Sequence, residues 1–525
     1  MLKKMYQLKL KIIVIMLFSL VLLQLITAYF FGYTTERQMN AQFQRMTSSP
    51  FIEVRHRQYH RGIFSSDLTA EISLNSRVLS TVLNILPQNY NESLVSNINK
   101  NYSIRYTTHI EHGIFSGILN GYFVPTIAYA RTSIIYPDQI VNVLNKFFNN
   151  QPPVVVDNII YLDKSGRFKI HSPKFDYAEA VSGVKVIWGG LDAVIKYNDA
   201  FDRFKINLGV PNFELIAPTK GTIVIKNLTY KSEVGDSPNK IKVGNAILQL
   251  GLAKVEWKDH IKINFKIGDI LHMLSGISSA EFLNGIDAID PDNFLFTNVS
   301  YRSNSQDENN FFQASGTINI ESIITNNKIY GPMNIDLSVS HVASAPFNQL
   351  IEKLIQVNAM NESSTLDQDK NRELLISTLK QYFIPILVES PVLKLNDFSL
   401  AMPDGLVTIT GYATTAGFTP ADMETQQKFM RKLVLDMHLS VPKPILSYMF
   451  VLQMRYLLSA GNAQMDKQSS EALTKVVNIL LDNQINIWTK KGYLTNNNGQ
   501  LGTHMHIESA NIYFNDKSGD SFAAD

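Results

Sequence analysis

Twenty consecutive residues near the N-terminus, Ile12–Phe31, carry no charge. As a helix they would rise about 30 Å, the thickness of the hydrocarbon core of a bilayer. Ser19, Gln24 and Thr27 are the polar residues of the run, and Tyr29 and Tyr33 stand where interfacial aromatics stand. Lys3, Lys4, Lys9 and Lys11 precede it, whereas Glu36 and Arg37 nearly cancel after it. Positive flanks remain cytoplasmic. The sequence therefore predicts an uncleaved signal anchor, with a cytoplasmic N-terminus and everything after about residue 34 exported. A cleaved signal peptide has a shorter apolar region followed by small residues; here Ala28 is followed by Tyr29, Phe30 and Phe31.

Apart from those four lysines, the 48 basic residues no longer outnumber the 46 acidic ones. No nucleic-acid partner is expected of such a body, because neutralising phosphates takes an excess of Lys and Arg. There is no cysteine, which excludes disulfides, thiolate metal sites and a lipoprotein anchor.

After Pro50 the dominant period is two. Apolar residues alternate with polar ones along Ile261–Ile267, Met333–Val339 and Leu433–Val441, the mark of antiparallel sheets with one buried and one wet face. Asp163-Lys164-Ser165-Gly166, Pro403-Asp404-Gly405 and Asn498-Gly499 are hairpin signals between such runs. Helices are expected at Pro137–Phe148, about Phe347–Val357, Ser364–Glu389, Pro442–Ala460 and Lys467–Leu481, with Pro385 ending or kinking the third. Met39, Phe43 and Met46 suggest an exposed helical continuation of the anchor. The predicted fold class is α+β, mostly antiparallel β. One transmembrane helix precedes a large β-rich exported body with late helices. The expected parts are a tip and anchor (1–35), a linker helix (36–50), a β-rich part (51–330) and a mixed β/helical part (331–525).

Two short segments echo one another: His60-Arg61-Gly62-Ile63-Phe64-Ser65 and His112-Gly113-Ile114-Phe115-Ser116. Gly62 is expected at positive φ or at a bulge, with Phe64 packed in a core. Together with Tyr59, the first segment resembles the opening signature of the YdgA family, inner-membrane-anchored bacterial proteins without an established function. Glu111-His112-Gly113 resembles that family's next motif. Lys432–Val441, Asp482-Asn483-Gln484-Ile485 and Asn498-Gly499-Gln500 resemble its closing pattern of strand, helix and strand–turn–strand. The resemblance implies a β-rich exported body and an inner-membrane, periplasm-facing location. It implies no catalytic residue.

Candidate chemistry is sparse. His504 and His506 share one strand face with Glu508 and could begin a metal site, but the sequence pairs no further ligand with them, so no metal is expected. His56, His60 and Arg61 could meet a phosphate or lipid headgroup, while Tyr59, Gly62, Phe64 and Ser65 complete a motif of unknown role. Nucleophile elbows, phosphate loops, dinucleotide fingerprints and zinc-protease motifs are absent from the sequence, which weighs against an enzyme and a cofactor. Carboxylate pairs of the glycosidase kind have no fixed spacing and stay open. Pro442–Ala460 is apolar around most of its circumference, more than a single buried stripe requires. Leu446, Met449, Phe450 and Met454 are thus candidates to line a lipid or other apolar ligand. The expectation is an envelope binding or scaffold protein, in contact with the bilayer through Ile12–Phe31 and with envelope protein partners. An unrecognised envelope hydrolase and a purely structural assembly partner are the alternatives.

Overall fold

The computed structural model of the chain describes residues 2–47, 52–74, 103–136, 138–258, 293–325, 327–363, 377–378, 381–458 and 467–519. The Ile261–Ile267 alternation and most of the first part of the Ser364–Glu389 helix lie outside these residues. The last part is helical over 381–388 and runs through Pro385.

Helix α1 (Leu2–Thr47) is continuous. It is long and apolar enough to cross a membrane, and its apolar residues from Ile12 to Leu23 are exposed. The Ser19 and Thr27 hydroxyls donate to the Ile15 and Leu23 carbonyls at 2.9 and 2.8 Å, which satisfies both donors inside the helix. From Gln24 onward one face docks. Ala28, Gly32, Thr35, Met39 and Phe43 are buried at the three- or four-residue spacing that places side chains on one face. Met39 and Phe43 join Leu68, Ala70, Ile110, Ile127, Ala128, Ala130 and Ile160 in a core. The expected exposed continuation of the anchor is thus corrected. A short periodic run cannot by itself say whether its apolar face meets water or a sheet formed later in the chain.

The chain divides into two compact units, Met1–Pro218 with Lys226–Gly235, and Thr219–Ile225 with Asp236–Asp525. Strands run β1 Ile52–Arg61, β2 Ser65–Leu74, β3 Ser103–His112, β4 Thr126–Ile135, β5 Val155–Tyr161, β6 Gly166–Ser172, β7 Phe175–Ala178, β8 Lys185–Trp188, β9 Leu191–Tyr197, β10 Arg203–Ala217 and β11 Gly221–Asp236. They continue as β12 Lys242–Trp257, β13 Asn293–Glu308, β14 Phe311–Ile320, β15 Ser322–Thr325, β16 Lys328–Tyr330, β17 Met333–Ala343, β18 Val392–Met402, β19 Gly405–Thr415, β20 Leu433–Pro442, β21 Thr495–Asn497, β22 Gln500–Glu508, β23 Asn511–Phe514 and β24 Lys517–Ser518. In the first unit the antiparallel order is β1-β2-β3-β4-β5-β6-β9-β10, with β7 and β8 continuing the lines of β6 and β9, so that β8 pairs with β7 and with the same edge of β10 that β9 uses. In the second it is β12-β13-β14-β17-β18-β19-β20-β22-β23-β24. The α+β, mostly antiparallel architecture expected from the alternation is the one observed.

The turn chemistry explains much of this local pairing. Asn498 and Gly499 have φ of 53° and 88°, the left-handed pair that a two-residue hairpin between β21 and β22 calls for. The remaining helices used below are α2 (Asp138–Phe147), α3 (Ser344–Ser363), α4 (Lys443–Leu458) and α5 (Lys467–Lys491). Asp482-Asn483-Gln484-Ile485, which resembled the start of a strand, lies within α5. Val477, Leu481 and Ile485 are buried four residues apart, so helical packing decides there. Gly492 at φ 79° follows the helix end.

Because Phe43 is core and Phe18 is 68% exposed, the two phenylalanines of α1 should respond differently to truncation. Phe43→Ala should destabilise the body by about 3–5 kcal/mol. Phe18→Ala should leave its thermal unfolding in detergent unchanged, as read by circular dichroism.

Candidate functional site

The motif on β1 serves α1. Side chains alternate along a strand, and Arg57 and Arg61 both reach the helix. The Arg57 guanidinium lies 4.4 Å from the Phe43 ring centroid and hydrogen-bonds Asn40. That of Arg61 lies 3.6 Å over the Tyr33 ring and bonds Glu36 at 2.9 Å. Such cation–ring stacking holds α1 against the sheet. Tyr59, between them, packs beside the Met39–Phe43 core, and burial pushes its hydroxyl pKa up. His56 and His60 are exposed, and Ser65 is half-buried.

Two expectations for this motif are corrected. Gly62 is not at positive φ, and the irregularity in β1–β2 pairing falls at Val54/His56. The Gly62 N–H instead donates to the Ser65 carbonyl at 2.8 Å, and a Cβ on Gly62 would come within 2.6 Å of that oxygen. The glycine is required by close approach, not by backbone handedness. Phe64 is 52% exposed at the hairpin tip, because a two-strand turn offers it nothing to pack on. The echoed segments are spatial neighbours, since the His112 N–H donates to the Phe64 carbonyl at 2.8 Å.

A polar cluster gathers on β20 and β22. His504 Nε2 donates to Asp436 Oδ2 at 2.9 Å, and His506 Nδ1 lies 3.4 Å from the same oxygen. His438 Nδ1 is 3.7 Å from Asp436 Oδ1, and its ring stacks on His504 at 4.1 Å between centroids. Glu508 lies 3.5 Å from His506 Nε2. Ligating atoms of Asp436, His438 and His504 fall within 4.8 Å of one another, a spacing at which they could hold a divalent ion. Sequence reasoning missed Asp436 and His438 because their pairing with His504 and His506 spans some seventy residues. The hydrogen bond from His504 holds the Asp436 pKa below the ordinary carboxylate range.

The second unit's sheet separates apolar from polar by face. Directly opposed residues share a face in an antiparallel ladder. One cross-strand row runs Leu248, Tyr301, Ile318, Ile335, Phe398, Ile409 and Leu439, across seven adjacent strands from β12 to β20. At about 4.8 Å per strand it spans roughly 29 Å. Tyr301 is exposed and the other six are half-buried. Among the described residues, none of the seven belongs to a buried core cluster. The opposite face carries Arg302, Thr317, Asp336, Asp397, Thr410 and the His438–His504 pair.

Helices cover the same apolar face at its two ends. Leu350 and Leu354 of α3 pack with Phe312 and Val342. Leu446 of α4 packs with Leu481 and Ile485 of α5 and with Leu501, which pairs with Val441, two residues beyond Leu439. Leu446 is thus engaged by protein and Met454 is half-buried, while Phe450 is 42% and Tyr448 64% exposed. The Met449 side chain lies outside the described residues. A cleft of about 630 Å³ opens beside Phe311, Pro346, Ile384 and Pro420, with Glu389 its one carboxylate, so no pair of acids converges there.

A depressed Asp436 pKa adds stability above the carboxylate's unfolded pKa, about 3.9, and that stability is lost as pH falls through the folded value. Asp436→Asn should therefore flatten the acid limb of a stability–pH profile below about pH 4 without changing its neutral plateau's shape, as measured by urea midpoints.

No curated protein and no solved structure matches the chain. The family described as "Bacterial protein of unknown function (DUF945)" matches residues 9–519. That match runs from inside α1 to the last described strand, and the chain belongs to this bacterial family.

Proposed function

We propose that the protein is a single-pass anchored component of the bacterial inner membrane whose periplasmic body holds an apolar ligand, a lipid acyl chain, along the sheet of its second unit. The observation that carries this reading is the seven-strand apolar row that stays half-buried. A sheet with one apolar and one polar face stabilises a soluble protein by covering the apolar one. Among the described residues, helices occupy the ends of that face, and the central row stays half-buried apart from the exposed Tyr301. Burial of an acyl chain contributes roughly 0.8 kcal/mol per methylene, so a partly occupied row would hold one measurably. The exposed Tyr448 and Phe450 of α4, with Ile479 and Leu480 of α5, extend apolar surface beside the same end. They keep α4 as the flank of the ligand path, with the row as its floor. An envelope-scaffold role is compatible with the same geometry, whereas the cleft beside Glu389 offers a hydrolase no acid–base pair.

The topology rests on four lysines before the uncharged run Ile12–Phe31. Alkaline phosphatase fused after residue 60 should be active, and the mature chain should retain Met1–Phe31. An inactive fusion would reverse the assignment.

The ligand is tested face against face. A photoreactive benzoylphenylalanine at Ile335, in the row, should crosslink to lipid in cells and yield a mass-shifted peptide. The same residue at Asp336, on the opposite face, should not. Equal labelling at both positions, or none at Ile335, would refute a ligand on this face.

A further inference from the structure

Gln24 and Thr27 lie inside the uncharged run, yet they meet partners from the body. Gln24 Nε2 donates to the His112 carbonyl at 3.1 Å, and its Oε1 accepts from the Phe115 N–H at 3.2 Å. Thr27 Oγ1 accepts from the Ile114 N–H at 3.4 Å. Gly32 lies so close to His112 that a Cβ there would stand 3.0 Å from the imidazole Nδ1. The connection from β3 to β4, residues 113–125, therefore lies alongside the apolar helix and not beyond its end.

Helix length decides what surrounds that connection. Only twelve residues, Ile12–Leu23, separate Lys11 from Gln24. They rise about 18 Å, well short of the roughly 30 Å of a hydrocarbon core. The missing thickness has to come from the turns after Leu23, where α1 already carries the connection. Gln24 stands seven residues before Phe31, about 10 Å inside the end of the run.

The surface of the connection fits that depth. Gly113–Ala130 contains no charged residue. Ile118, Leu119, Phe123 and Val124 are 40%, 76%, 88% and 41% exposed. Beside them, at the β1–β2 tip, Ile63 and Phe64 are more than half exposed. Polar groups of the connection turn inward: Ser116 Oγ and the Gly117 N–H both bond Thr126 Oγ1 at 2.9 Å, and the Asn120 amide donates to Glu111 at 2.7 Å. Internal satisfaction of this kind is what hydrocarbon requires of a non-helical segment. The Arg61–Tyr33–Glu36 group lies just past Phe31, at the level where charged and aromatic side chains mark an interface.

We infer that the β1–β2 tip and the 113–125 connection form an apolar collar around α1 that is embedded among the acyl chains of the periplasmic leaflet. This rests on the reading that Ile12–Phe31 spans the membrane, and the test separates the two. Because the chain has no cysteine, single substitutions carry unambiguous nitroxide labels. Leu119→Cys and Phe123→Cys report the collar, and Leu17→Cys reports the span. Lys146→Cys, on α2 between the far ends of β4 and β5, reports water. The full-length protein is reconstituted in vesicles of phosphatidylethanolamine and phosphatidylglycerol. Collision with oxygen, which concentrates in lipid, is compared with collision with a water-soluble nickel chelate. The collar labels should resemble Leu17→Cys, with an oxygen-to-nickel ratio several-fold above that of Lys146→Cys. Collar labels that match Lys146→Cys while Leu17→Cys remains lipid-exposed would overturn the collar and leave the span intact. Water exposure at Leu17→Cys as well would overturn both. Collar labels shielded from both reagents would show another protein in place of lipid, and would also overturn it.

Discussion

From Gln24 onward one face of α1 docks on a sheet, and that contact organises the first unit. Small side chains at Ala28 and Gly32 let the backbone approach, and Met39 and Phe43 fill the core beneath β1–β4. Arg57 and Arg61 close over the top by stacking on Phe43 and Tyr33. The head of Arg61 pairs with the Glu36 carboxylate, and that of Arg57 bonds the Asn40 amide oxygen.

The second unit solves a different problem. Its long strands alternate so cleanly that the sheet has an oily face and a wet face, and the cross-strand register keeps the two apart over seven strands. The register survives local shifts at Asp336/Leu337 and Leu395/Phe398. A bulge adds a residue to one strand without exchanging the faces beyond it. The histidines with Asp436 belong to the wet face, where water and hydrogen bonds satisfy them.

Features set by neighbouring residues were legible in the sequence: the uncharged run, the Asn498-Gly499 turn, the alternation of Met333–Val339 and Leu433–Val441, and the starts of α2, α4 and α5. Features set by distant partners were not. Nothing around Phe43 says that Leu68 and Ile110 will arrive to bury it. Nothing around His504 says that Asp436 will lie opposite. Asp482–Ile485 misled because a likeness of four residues carried less information than the Val477–Leu481–Ile485 stripe that runs through it. The Gly62 segment was singled out correctly as special, yet its reason, contact with the Ser65 carbonyl, depends on the fold of the turn and not on residue type alone.

The unbroken course of α1 has a mechanical consequence. A body joined to its anchor by a flexible tether can swivel and lean freely. Here the apolar helix continues, without proline or gap, into the core of the first unit, and two arginines pin it. The first unit therefore holds a fixed azimuth and inclination to the helix axis. With the topology proposed above, a sideways push on it would reach the surrounding lipid as torque, and a change in bilayer thickness that tilted the helix would tilt the sheet by the same angle.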